Sequence, residues 1–297
     1  MIPFVRDFAF EYGVAQTLSP MIRRVIARNP GPFTFTGTGT YIVGHGRVAV
    51  VDPGPDDREH FAALLRALEG ETVSHVLVTH HHMDHSPLAR ALADHFGAAL
   101  CGRPAVMTAE DGGAVRLEAG DDPFFRPDVE IGDGWRACGP GWTLKALHTP
   151  GHTVNHFCYA VEEENALLCG DHVMAWSTSI VSPPEGHMGR YLESLGRILG
   201  LDFAVLYPAH GPHLEGPRPF LEAYVAHRRT REAQILARLA GGARTIRALV
   251  EDLYSGVERR LHPAAMHMIL AHLIDLTERG VTVAAPAPTL QAEYSLA

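Results

Sequence analysis

The sequence predicts an α/β layered domain over its first 216 residues, followed by a smaller helical domain. Three observations carry this. Short apolar runs that end in turn residues alternate with helical patterns up to about residue 215. Polar residues of reactive type stand just past the ends of those runs. The steps Gly211-Pro212 and Gly216-Pro217 then precede a change to helical periodicity, which marks a boundary near residue 216.

Taken in order, Val48-Ala49-Val50-Val51 reads as a buried strand ending at Asp52-Pro53-Gly54, and His75 to Thr79 as another ending at a histidine cluster. Ser86 offers a helix N-cap with Pro87 at the first helical position, and Leu88, Leu92 and Phe96 share one face of that predicted helix. Thr143 to Leu147, Ala166 to Cys169 and Ala204 to Tyr207 read as further strands. From about residue 100 to 142 the chain is Gly-rich and acidic (Glu110-Asp111-Gly112-Gly113, Gly120-Asp121-Asp122-Pro123) and is expected as a solvated flap of strands and loops. Helices are predicted over Phe220 to Ala240, Thr245 to Tyr254 and His262 to Glu278, then a short strand Val281-Thr282-Val283. The expected division is 1–216 catalytic, 217–283 helical, and 284–297 a tail.

Composition narrows the class. With 29 Gly and 21 Pro in 297 residues, the chain lies below the roughly 25–30% of low-complexity sequences. Four cysteines, Cys101, Cys138, Cys158 and Cys169, are too scattered for a disulfide framework or a Cys-x-x-Cys knuckle, which predicts a reducing compartment. The first eleven residues carry charges where a signal peptide needs its apolar centre, and no run of about 18 apolar residues occurs, so a cytoplasmic protein with no membrane contact is expected. The net charge of −9 argues against tight non-specific binding to nucleic acid. Residues 217–297 hold ten arginines against eight acids, which leaves −11 on residues 1–216.

Nineteen histidines are the loudest feature. In Thr79-His80-His81-His82-Met83-Asp84-His85-Ser86 an extended chain points His80, His82 and Asp84 the same way, while His81 and Met83 turn aside. His85 begins the turn and can close on a second point. His152 in His148-Thr149-Pro150-Gly151-His152, His210 in Tyr207-Pro208-Ala209-His210-Gly211, and Asp171 after Gly170 stand at equivalent strand ends. Five imidazoles and two carboxylates so placed make two adjacent metal sites. The absence of cysteine from these motifs favours catalysis over a closed structural zinc site. His45, His60, His95, His187, His213, His227 and His262 are expected as surface histidines. Asp52 and His148 are candidates to hold ligating imidazoles in place, and Asn155 and His156 could reach substrate.

These motifs resemble the signature of the metallo-β-lactamase fold superfamily: His80-x-His82-x-Asp84-His85, then His152, Asp171 and His210 in order, with Asp52 matching the first motif. The resemblance runs from about Gly37 to about residue 280. It implies a four-layer αββα sandwich with a dinuclear site at one edge. One ion would be held by His80, His82 and His152, the other by Asp84, His85 and His210, with Asp171 bridging. Ala226-His227-Arg228, Gln234-Ile235-Leu236, His267 and His272-Leu273 resemble the winged-helix end of the beta-lactamase-like protein 2 group, whose members include a single-strand-preferring endoribonuclease and whose relatives act as thioesterases.

Two divalent ions can share a water and lower its pKa from 15.7 toward about 7, so a metal-bridging hydroxide, aimed by Asp84, would be the nucleophile. A donor set of N and O suits Zn and tolerates Mn or Fe. The expected function is hydrolysis of a small ester or thioester, with cleavage of single-stranded RNA as the alternative. A nucleic-acid-binding winged-helix module and a true β-lactamase rank behind both. Antibiotic-degrading relatives are usually exported, and one main class has a cysteine where Asp171 stands. Arg228, Arg229 and Arg231, with Arg244, Arg247, Arg259 and Arg260 nearby, are the residues a nucleic-acid role would use.

Overall fold

The computed structural model describes residues 1–105 and 120–297. Glu110-Asp111-Gly112-Gly113 lies outside the described residues. A seven-stranded sheet runs in chain order through β1 (Gln16–Thr17), β2 (Ile22–Ile26), β3 (Gly39–Val43), β4 (Arg47–Val51), β5 (Thr72–Leu77), β6 (Ala99–Gly102) and β7 (Val129–Glu130). A second, six-stranded sheet comprises β8 (Arg136–Gly139), β9 (Trp142–His148), β10 (Phe157–Val161), β11 (Ala166–Gly170), β12 (Val205–Pro208) and β13 (Leu214–Glu215), also in chain order. Both sheets are mixed: β4 to β7 pair in parallel, as do β11 and β12.

Period-two alternation builds the layers. Ala49 and Val51 of β4 face inward with Leu144, Ala146, Tyr159 and Leu168 of the second sheet, forming the central core. Val48 and Val50 face outward onto α1 (Arg58–Ala67) and α2 (Pro87–Phe96) through Leu64, Leu68 and Leu92. On the far side Cys158, Ala160, Leu167 and Cys169 face α3 (Met188–Leu201), whose Met188, Tyr191, Leu195 and Ile198 recur at helical spacing. The arrangement is the αββα sandwich. Pro87 opens α2 and Gly97, at φ +65°, closes it in the left-handed conformation. Ser86 sits at the N-cap position, but its hydroxyl donates to the Asp122 carboxylate at 2.9 Å rather than capping the helix.

Two expectations are corrected here. The Asp121-Asp122 turn is not a solvated flap: Asp122 is buried and its N–H donates to the His81 carbonyl at 2.7 Å. His60 is not a surface histidine: it is buried on α1, with Nε2 2.9 Å from the Thr40 hydroxyl.

The C-terminal portion contains α4 (Arg218–Leu239), β14 (Arg244–Thr245), α5 (Ile246–Leu253), α6 (His262–Glu278), β15 (Thr282–Ala285) and β16 (Glu293–Leu296). Thr245 caps α5 by accepting the Ala248 N–H. Residues 284–297, expected as a tail, contain β16, the middle strand of a three-stranded sheet, with Tyr294 buried. α4 serves two cores. Phe220, Leu221 and Tyr224 pack into the outer layer of the sandwich, whereas Ile235 and Leu239 join Ile246, Leu249, Ile269 and Leu273. No helix among the described residues is long and apolar enough to cross a membrane.

Burial pushes the His60 imidazole down to about 4, and burial with Arg228 and Arg231 pushes His272 down to about 3. Both folded values lie below the unfolded value near 6.5, so the unfolded chain binds more protons in between. Stability from these groups is complete above about pH 6.5 and declines as pH falls toward the folded values, at about 1.4 kcal/mol per pH unit per histidine. Urea unfolding at pH 7 and pH 5 should therefore show the native chain losing about 2 kcal/mol more than His272→Leu. Equal losses would contradict the assignment.

Candidate metal centre

Each candidate ligand follows a strand of the sandwich at its carboxyl end. His80, His82, Asp84 and His85 follow β5, His152 the turn after β9, Asp171 β11, and His210 β12. All are buried. Gly151, at φ +140°, lets α3 close on this edge, because a Cβ there would collide with the Tyr191 backbone.

The residues converge in two clusters. His80 Nε2 lies 2.9 Å from His82 Nδ1 and 3.3 Å from His152 Nε2. Asp84 Oδ2 lies 3.6 Å from His85 Nε2 and 3.3 Å from His210 Nε2. Asp171 spans them: Oδ1 is 3.6 Å from His85 Nε2 and 3.3 Å from His210 Nε2, and Oδ2 is 3.8 Å from His152 Nε2.

Outer contacts fix which nitrogen faces in. His85 Nδ1 donates to Asp52 Oδ2 at 2.9 Å, His152 Nδ1 to the Ile180 carbonyl at 2.8 Å, and His210 Nδ1 to the Gly37 carbonyl at 3.3 Å. Each turns Nε2 toward the cluster, the orientation metal-ligating imidazoles need. Asp52, at φ +51°, also accepts the Thr79 N–H and hydroxyl at 2.7 and 2.8 Å, so it ties the start of the histidine run to the end of β4.

Electrostatics separate the clusters. Burial, reinforced by neighbouring imidazoles, holds His80 and His82 well below the usual histidine range, hence neutral. For His85 and His210 burial acts the same way but is outweighed by the Asp84 and Asp171 carboxylates, which raise both imidazoles. Those imidazoles in turn hold Asp84 and Asp171 below the ordinary carboxylate range against the effect of burial. Buried His85 Nε2 and Asp171 Oδ1 make no hydrogen bond, although they face one another. Buried polar atoms without partners are costly, and a divalent ion between them would satisfy both. The donors are imidazole and carboxylate only, a set that fits such an ion.

Other sequence candidates fall elsewhere. His148 turns away from the clusters, with Nε2 3.1 Å from the Val154 carbonyl and 3.4 Å from Arg103. Asn155 and His156 are buried supports: Asn155 holds His81, and His156 Nε2 accepts the Asp171 N–H at 3.2 Å. His172, beside Asp171 in the chain, is buried against Tyr191 and faces neither cluster as a ligand in the groups that converge. Arg228, a candidate for nucleic-acid contact, is buried, donates to the Ser179 carbonyl at 2.6 Å and lies over the Tyr191 ring. Arg244 and Arg260 are ion-paired to Asp252 and Glu258. Sequence reasoning missed Asp121, 3.6 Å from His82 Nε2, and Glu185 beside His81. Neither has a spacing signal.

Residues 34–210 match the metallo-beta-lactamase superfamily model, and residues 245–287 match the beta-lactamase associated winged helix domain. The chain belongs to the metallo-beta-lactamase superfamily. Lactamase-like protein adaB of Aspergillus niger is 30% identical over 305 residues, covering 93% of this chain and 90% of that protein. A beta-lactamase-like protein 2 homolog of Caenorhabditis elegans is 29% identical over 74% of this chain and 72% of its own. An atrochrysone carboxyl ACP thioesterase of Aspergillus chevalieri is 30% identical over 87% of this chain and 81% of its own. The fold superposes on a beta-lactamase domain protein from Burkholderia ambifaria with a TM-score of 0.77 at 23% identity, covering 100% of this chain and 97% of that one.

In this superfamily hydrolase, Asp52→Asn tests the support around His85. The amide keeps an acceptor for Thr79 but loses the carboxylate that grips Nδ1. Metal affinity, measured by chelator competition, should fall about 10- to 100-fold with the fold retained. An unchanged affinity would assign Asp52 to the turn alone.

Proposed function

We propose that the chain hydrolyses small acyl esters or thioesters at a dinuclear centre, and the observation that carries this is Asp171, whose two oxygens face two separate imidazole clusters. His80, His82 and His152 would hold one ion and Asp84, His85 and His210 the other. Zinc is the first choice for this donor set, with Mn or Fe tolerated. Bound there, the pair would supply a Lewis acid and an activated water at neutral pH. The protein's own part is orientation. Asp52, Ile180 and Gly37 fix the imidazole tautomers, and Asp84, whose side chain is 10% exposed, can accept a hydrogen bond from the attacking water. Four free cysteines, three of them buried, fit a reducing, cytoplasmic setting.

An acyl substrate is favoured on two grounds. Relatives are named as thioesterases, and the −11 charge of residues 1–216 opposes a polyanion. The burial of Arg228 withdraws one of the cations an RNA would use. The test is a side-by-side assay of an acyl thioester, a labelled unstructured RNA and a β-lactam, with Asp84→Ala as control. Thioester turnover that Asp84→Ala abolishes is expected. Cleavage of RNA without thioester turnover would overturn the substrate reading, as would β-lactam hydrolysis as the dominant activity.

A further inference from the structure

We infer that His81, Glu185 and Asp121 form a third divalent-cation site beside the dinuclear centre. His81 Nε2 lies 3.4 Å from Glu185 Oε1 and 3.6 Å from Asp121 Oδ1, and the ligand atoms of all three fall within 4.8 Å of one another. Ligands about 2.1 Å from a tetrahedral ion stand about 3.4 Å apart. The separations here match that, and they match those of the clusters around Asp171.

The hydrogen bonds around His81 show what its inner nitrogen presents. Asn155 Nδ2 donates to the carbonyls of Arg103 and Pro104 at 3.2 and 3.3 Å, which fixes the amide with Oδ1 toward His81. The Thr153 hydroxyl donates to that same oxygen at 2.9 Å. An oxygen so placed can only accept, so His81 Nδ1, 3.1 Å away, is the N–H donor. In a neutral imidazole the Nε2 lone pair then points at two carboxylates. With Glu185 buried beside it, this pair of electron-rich atoms calls for a positive charge, and the partly exposed Asp121 oxygen lies within reach of the same point.

Glu185 is the independent sign. It is 8% exposed, and neither of its carboxylate oxygens has a hydrogen-bond partner among the described residues. His81 Nε2 likewise has no hydrogen bond of acceptable geometry. A buried carboxylate 3.4 Å from an imidazole is costly unless that imidazole is protonated or a metal cation sits between them, and the backing of His81 by an amide oxygen is the support that ligating imidazoles receive. One histidine and two carboxylates suit Mn2+ or Zn2+. Asp121 Oδ1 is also 3.6 Å from His82 Nε2, so the third site shares an oxygen with the support of a dinuclear ligand. The competing occupant is a proton held between His81 and Glu185.

The test is position-resolved. Crystals of the full chain equilibrated with Mn2+ should show an anomalous difference peak among His81, Glu185 and Asp121, separate from peaks at the dinuclear positions. Equilibrium dialysis against micromolar Mn2+ should give the native chain one more equivalent than Glu185→Gln. Asp121→Asn, altered at a side chain 39% exposed, gives the same comparison if Glu185→Gln fails to fold. Peaks at the dinuclear positions alone, equal stoichiometry in native and variant chains, or a third peak only at crystal concentrations of metal would each overturn the site. Empty dinuclear positions would instead count against the proposed function, since the third position is scored separately.

Discussion

Asp171→Ala is expected to lower both metal retention and hydrolysis by about three orders of magnitude. Its two oxygens are the atoms that face both clusters, so the substitution leaves His85, His210 and His152 without their shared carboxylate. Lewis-acid stabilisation by bound metals is worth several kcal/mol, and each about 1.4 kcal/mol is tenfold in rate. The imidazoles of His85 and His210 also lose part of what raises them. Elemental analysis and steady-state turnover on the same preparation check both effects. Full activity with full metal content would show that Asp171 does not bridge.

A chain ending at Gly216 is expected not to fold. The boundary that the sequence places near residue 216 would make residues 1–216 a domain that stands without the helices after it. The packing is otherwise, because Phe220, Leu221 and Tyr224 of α4 are buried in the outer layer of the sandwich. Losing three such side chains at about 1.5–3 kcal/mol each removes about 6 kcal/mol, on the scale of a whole domain's stability of about 5–15 kcal/mol. Tyr224 and Arg228 also bond Ser179, at the start of the loop whose Ile180 carbonyl orients His152. Circular dichroism melts compare the two chains. A cooperative transition within a few degrees of the full chain would contradict this account.

The convergence of the candidate ligands was legible because most of it is local. Four of the residues fall in one short run after β5 and the others follow apolar runs that announce their own ends, but the extended alternation expected for that run is not what forms: residues 79–86 bend and turn, and Asp84 joins His85 and His210 rather than His80 and His82. His148 misled because adjacency in sequence does not settle which way a strand residue faces; its ring went to Val154 and Arg103. Glu185 and Asp121 could not be read, since they meet His81 only through the packing of two distant loops.

Among the elements, α6 was readable end to end from its apolar spacing. β2 was concealed by Arg23 and Arg24 within Ile22–Ile26: Arg24 is 2% exposed, donating to the Gly211 carbonyl at 2.8 Å and lying over the Phe8 ring. β16 was hidden behind the break at Pro286 and Pro288, though Tyr294 anchors it in the C-terminal core.

The two clusters joined by Asp171 are expected to hold two ions. The metal content of the full chain, purified without chelators and desalted, tests it most directly. Two tightly held transition-metal ions per chain, falling in His82→Ala, is the predicted result, the third position with its partly exposed Asp121 being the one that desalting empties. A chain with no bound metal, or one that hydrolyses substrate equally well after complete chelation, would contradict it.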